Sequence, residues 1–449
     1  MLDIQPAPPA LDDATLQQHI GWLRSLTPAS AVPAICDAIL AGTPEDELWA
    51  AGALAATRYI NNQGHNLLGF VSHAMLGCED ARALAQSQPP HVRRLLLMQA
   101  LHQVVCDMHD PSFAPYELLP FWPVQEAGVT ASIERLRADV RFGEYSRSDH
   151  RFVGLAGLLA RDQLVDLLLE IGLEGMCSDD HTLISPVLCL GMIDLVGWER
   201  GFDMLRWSVR YSASFARNFG PYERAVALLG EYGLHNGPQA AGLQPERVAA
   251  LRAELFGAPP SERPVRAAQA LAAGTAPETV IAAAALVCCD MYLMTVPVPH
   301  ADYDAVSREV APIHLGTTFD SLRVGLARMQ PRTRALAAIM AGSLLERGPS
   351  VLDQTFTFVP FTPAKPYPYP EDVEALRGIH PRELCSLLRT AAFAHDYRSA
   401  TAAVAAYAAS GADAEPLIEQ LIAIACTDNG TLMHNFKHLH AMVSGFRSC

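Results

Sequence analysis

The stretch LMHNFKHLHAMV, residues 432–443, gathers His434, Lys437, His438 and His440. Wound as a helix, it sets His434, Lys437 and His438 on one face. Lysine is rare in this chain: of 33 basic residues, only Lys365 and Lys437 are not arginine. Lys365 lies in TPAKPYPYP, where either base would serve. An ammonium beside metal-binding imidazoles would repel the ion and would be costly to bury without a partner. An amine has two ways out. It can lose its proton, which burial and neighbouring cations favour, or it can add carbon dioxide and become a carbamate, an anionic oxygen ligand. Arginine does neither, because it stays protonated. The plain alternative is a lysine whose stem packs on the protein and whose head reaches water.

Other segments carry histidine where an apolar helix starts or turns inward. His65 and His73 lie in NNQGHNLLGFVSHAMLG, eight residues apart and so on one helical face. His181 lies in CSDDHTLISPVLCLG, His314 in VAPIHLGTTFDSLR, and His102 and His109 in ALHQVVCDMHDP. Ser178 and Thr431 each precede a histidine by three residues and suit the N-cap position, which puts His181 and His434 in first turns. Pro312 suits a helix start with His314 in the first turn. A helix N-terminus disfavours imidazolium, so these rings should be neutral near pH 7, the form that binds a metal. A single first-turn histidine is ordinarily a surface residue; several in apolar helices point to a shared site. No HExxH or HxxEH pattern occurs, so the zincin signature is missing. In DPSFAPYELLPFWPV, residues 110–124, Phe113, Tyr116, Phe121 and Trp122 are either anchors of a helix connection or the aromatic wall of a ligand pocket.

The elements that must position these groups are helices. Apolar residues recur at helical spacing in DELWAAGALAATRYI, HVRRLLLMQALHQVV, RFVGLAGLLARDQLVDLLLEIG, PRTRALAAIMAGSLLER and RSATAAVAAYAAS. The best strand candidate, DQTFTFVPF, is demoted by Pro360. The expected fold is mostly α: one large multi-helical domain over 1–449, with the site between helices. Breaks near 235–265 offer an internal division, but histidine segments lie on both sides of it. Half the chain is hydrophobic and the net charge is −15, which supports a sizeable core and argues against nucleic acid or anionic membrane as partners. The 10 scattered cysteines read as reduced thiols of a cytoplasmic protein. The longest apolar run, residues 279–298, is interrupted by Asp290 and Pro297 and reads as a buried helix rather than a membrane span.

At these residues the chain resembles the questin oxidase-like family of aromatic polyketide pathways. The resemblance runs over most of the chain in short motifs. GHNLLGFVSHAMLG matches a His ahead of a Leu-Leu pair, with His65. HTLISPVLCLG keeps His181 of an H-P-L-I-H-L-G motif, with Ser185 where the second His would stand. IHLGTTFDSLR keeps His314, Thr317, Leu322 and Arg323, and HNFK keeps His434 and Lys437. The resemblance implies a mostly helical, flavin-independent oxygenase with a mononuclear non-haem iron. The implied ligands are His65, His181, His314 and His434, with Lys437 as a carbamate. Ser185 would then contact substrate or move a proton. No GxGxxG is present to hold a nicotinamide or flavin.

Three functions follow as expectations. The first is an iron-dependent oxygenase acting on an aromatic or quinone-like metabolite, with dioxygen and an external reductant; imidazoles and one oxygen donor suit Fe(II), and also Zn or Mn. His73, Asp180, Ser185, Asp194, Thr317, Arg323 and His438 are candidates to orient the ligands or touch substrate. The second is a zinc-dependent hydrolase on the same residues. The third is a non-catalytic helical scaffold.

Overall fold

The computed structural model describes residues 11–61, 72–214, 217–238, 240–295, 306–348, 351–352, 358–359, 363–427 and 433–448; over 306–312, 347, 351–352 and 358–359 only the backbone is described. Sequence periodicity translates directly into its elements. The run from 46 to 60 forms helix α3, Glu45–Tyr59, with Glu45, Asp46 and Glu47 in its first turn and Arg58 in its last, each opposite in sign to the dipole end it faces. Its small residues allow close approach: a Cβ on Gly52 would come 2.4 Å from Leu101 of α5, Pro90–Asp107. The run from 331 to 347 forms α16, Pro331–Arg347, and the alanine-rich run near 400 forms α19, Tyr397–Ala409. The long apolar run forms α14, Pro277–Leu293. The run from 151 to 172 differs from expectation. It is two helices, α7 (Tyr145–Ala156) and α8 (Arg161–Gly175), and the turn between them hides in the apolar sequence Gly157-Leu158-Leu159-Ala160.

The fold is all-α in character, with 21 α-helices among the described residues and one antiparallel pair of two-residue strands, Val351–Leu352 and Phe358–Val359. The centre is α9, His181–Val196, buried along nearly its whole length. On it pack α8, α10 (Trp198–Ser212), α4 (Ala74–Ala85) and α15 (Val306–Gly325). Helix α21, His434–Ser448, lies against α4 and α15. One apolar core runs from Leu11 to Val443 through all of these helices, so the break near 235–265 does not separate two cores. A second, small cluster of Leu384, Ala406 and Tyr407 holds α18 (Pro381–Phe393) to α19. No helix among the described residues is long and apolar enough to cross a membrane.

Candidate metal centre

Four helices deliver one imidazole each to a single buried point. Ahead of α4, the Ser72 hydroxyl donates to Asp107 Oδ2 at 2.6 Å while its oxygen accepts the Ala74 N–H at 3.2 Å. This fixes the turn that carries His73, which immediately precedes the helix. His181 is the first residue of α9, and His434 the first of α21. His314 comes from within α15, and its carbonyl accepts the hydroxyls of Thr317 at 3.0 Å and Thr318 at 2.6 Å. Met433, with φ 72, turns the chain into α21 in a left-handed conformation that costs a non-glycine residue about 1–2 kcal/mol. Its side chain lies on α4 at Gly77, where an added Cβ would come 2.7 Å from the Met433 methyl.

The ring nitrogens face one another. His73 Nε2 lies 2.9 Å from His181 Nε2, and His314 Nε2 lies 3.1 Å from His434 Nε2. Lys437 Nζ is 3.0 Å from His181 Nε2. Ring centroids of His73 and His434 are 4.2 Å apart, and those of His181 and His314 4.5 Å. His73, His314 and His434 each offer a nitrogen within 4.8 Å of the other two. Two nitrogens that each lie about 2.1 Å from one metal, at right angles, are roughly 3.0 Å apart. The observed spacings therefore suit a shared ion.

The electrostatics suit one too. Burial, followed by the nearby His434, Lys437 and His181, holds His73 well below the ordinary imidazole range. Burial, followed by Lys437 and the other three rings, does the same to His314. Burial and then Lys437 push His181 down to about 4, against the pull of Asp179. Rings that are neutral keep lone pairs for a cation. Lys437 is fully enclosed, and burial pushes it down to about 8 despite Asp80, Asp180 and Asp179. The buried Nδ1 of His73 has no hydrogen-bond partner among the described residues.

His181 is aimed by a relay of polar contacts. Asp179 Oδ1 lies 3.2 Å from His181 Nδ1, which puts the ring proton there and leaves Nε2 facing the cluster. Tyr211 O–H and Arg217 N–H each donate to Asp179 Oδ2 at 2.8 Å. Burial opposes the Asp179 charge, but Arg217 and the His181 contact hold its carboxyl well below the usual range. A Cβ on Gly175, at the end of α8, would stand 2.8 Å from Arg217 Cδ, so glycine there lets the arginine through. Asp180 is buried, with Oδ2 3.9 Å from His314 Nδ1.

The structure brings His181, His314, His434 and Lys437 together and adds His73, expected only as an accessory. His65 and the Thr431 cap lie outside the described residues, and so does the expected pairing of His65 with His73; α4 begins only after His73. Several expectations are corrected. Ser178 does not cap α9; its hydroxyl donates to the Asn218 carbonyl and accepts the Asn218 N–H, because the loop before α11 (Gly220–Glu231) packs there. His314 is not in a first turn, since α15 begins at Val306, so burial rather than a helix end keeps it neutral. The Thr317 hydroxyl holds backbone rather than a ring. Ser185, buried one turn beyond His181, has no partner for its hydroxyl among the described residues. Arg323 is nine residues along α15 from His314, about 13 Å at 1.5 Å per residue, and donates to Asp320 at 2.7 Å. Asp194 pairs with Arg328 at a partly exposed helix end. His438 stands beside Lys437 on α21, with its ring edge-on to Tyr292 at 5.6 Å. His109 bonds the Leu26 carbonyl and His102 faces Cys106, both away from the cluster. Of the aromatic wall, Phe113 and Tyr116 line a cavity of about 360 Å³ beside Arg210. Phe121 and Trp122 are on the outer surface, 41 % and 64 % exposed, against Arg206 and His150.

Asp179, Tyr211 and Arg217 were not picked out from the sequence. Only the acidic pair ahead of His181 could have hinted at them. Compared with family models, with curated proteins and with solved structures, the chain matches none.

Proposed function

We propose that His73, His181, His314, His434 and Lys437 hold a mononuclear non-haem iron, and that the protein is an oxygenase acting on an aromatic or quinone-like small metabolite. The observation that carries this reading is the mutual approach of ring nitrogens at 2.9–3.1 Å in a buried cluster. Burial holds His73, His181 and His314 below the ordinary imidazole range, which leaves lone pairs that a cation could take. Bound iron would supply the one-electron chemistry that dioxygen requires.

The chain's own residues do the rest. Asp179, held by Tyr211 and Arg217, orients His181 and keeps its Nε2 unprotonated. The Lys437 amine, with its proton affinity lowered by burial, is poised to add carbon dioxide: the nitrogen lone pair forms the N–C bond and one amine proton leaves to solvent. The resulting carbamate would offset the charge that several imidazoles cannot neutralise. Lys437 stands beside His181, where such an anion would meet the same ion.

The set His73, His314 and His434 alone favours a second reading, a three-histidine zinc site serving a hydrolase. Metal analysis of the purified full chain separates the two. Iron near one equivalent, with oxygen uptake on hydroxylated aromatic compounds, supports the oxygenase; zinc without oxygen uptake supports the hydrolase. His314→Ala should lose nearly all bound metal at unchanged helix content. After exposure to ¹³C-bicarbonate, a carbamate carbon resonance should appear and vanish in Lys437→Met. Metal content near zero in both His314→Ala and the parent overturns both readings.

A further inference from the structure

Arg323, expected at the cluster, instead lines a cavity away from it. Between α14, α15 and α21 lies a groove of about 600 Å³, walled by Ile281, Ala285, Phe319, Met442 and Phe446. Small-molecule pockets run at roughly 300–1,000 Å³ and are mostly apolar with a few polar groups. Three charged side chains enter the lining, Glu278, Asp320 and Arg323. Each already has an ion-pair partner: Arg323 donates to Asp320 at 2.7 Å, and Glu278 pairs with Arg334; Arg323 Nε and Glu278 Oε2 are buried without a hydrogen-bond partner among the described residues and suit a neutral polar group of a ligand. A charged ligand would thus be desolvated without a counterion of its own, which is unfavourable.

The inner end is closed by a defined layer. The Tyr292 hydroxyl oxygen accepts the Gly316 N–H at 3.0 Å, and a Cβ on Gly316 would come 2.9 Å from the Met442 methyl. Behind it stands His438, next to Lys437. The groove is thus separate from the imidazole cluster but backs onto it. We infer that this groove is the binding site of a neutral, mostly apolar small molecule. The site stands whether or not the imidazoles carry a metal.

The test is titration of the full-length chain with the neutral dye Nile red, followed by its fluorescence. One saturable site is expected. Gly445 lines the groove, and a Cβ there meets nothing within 4 Å, so Gly445→Phe fills the space without collision. It should weaken dye binding at least about tenfold, a difference of about 1.4 kcal/mol, with thermal stability retained. Gly21→Phe on α1 (Asp13–Ser25), where a Cβ also meets nothing within 4 Å, is the control and should bind as the parent does. 1-Naphthol should displace the dye, while 1-naphthalenesulfonate should need at least about tenfold more. Equal binding by Gly445→Phe, or equal competition by the sulfonate, overturns the proposal. So does dye binding that vanishes as the chain self-associates, which would make the groove a contact between copies.

Discussion

At the residue scale the decisive group is Asp179, because it converts a buried ring into a directed ligand. Asp179→Asn keeps the shape but removes the charge that Arg217 and His181 share. Loss of such an outer contact typically costs 10–100-fold in metal affinity. The expected outcome is about that weakening, read by competition with a chromophoric chelator, at unchanged circular dichroism. Side-chain type made the centre partly legible: one of only two lysines in an arginine-rich chain and histidines in apolar runs singled out His181, His314, His434 and Lys437. That His73 meets them directly was not legible, because nothing in its segment marks it as more than an accessory ahead of α4. The Arg217–Asp179 pair spans 38 residues and exists only through tertiary packing.

At the scale of elements, the site depends on how α21 meets α4. Met433 on Gly77 sets that contact, and its left-handed backbone turns His434 inward. Gly77→Val would push the whole Met433 side chain, whose Cβ and Cγ already lie 3.2 Å from an added Cβ. Overpacking of this kind costs about 1–3 kcal/mol. Urea titration should show that loss, and metal content should fall with it. Helices were readable from periodicity wherever polar residues or prolines marked their ends. The α7–α8 turn was not, since leucines carry it and apolar spacing runs straight through. Likewise, α15 starts before Pro312, so a residue that often opens helices does not open this one.

The whole molecule should show a stability dome against pH. His181 and His438 titrate near 4 in the fold, both because burial penalises their charge, against about 6.5 for a free imidazole. Between those values the unfolded chain binds more protons, so stability falls as pH drops, by up to about 3 kcal/mol for each ring. Asp107 opposes this in part. Burial lifts it to about 6, which favours the fold where its carboxyl is protonated. His440 acts on the alkaline side. Burial opposes its charge, but the Asp80 contact at 2.7 Å lifts it to about 9, so the stability it adds below about 6.5 is lost as pH rises through 9. In chelator-treated protein, urea midpoints should peak near pH 6.5 and decline at pH 4.5 and pH 8.5; Lys437, held down to about 8 by burial, returns stability only above that pH.

That Asp80–His440 pair also joins residues 360 positions apart, and the Lys437–His181 contact joins residues 256 apart. On the ribosome, α4, α9 and α15 emerge long before α21, so their histidines wait without a fourth helix to close over them. On the proposed function, loading of an ion would follow translation of residue 437, and nascent chains stalled before that point should capture none.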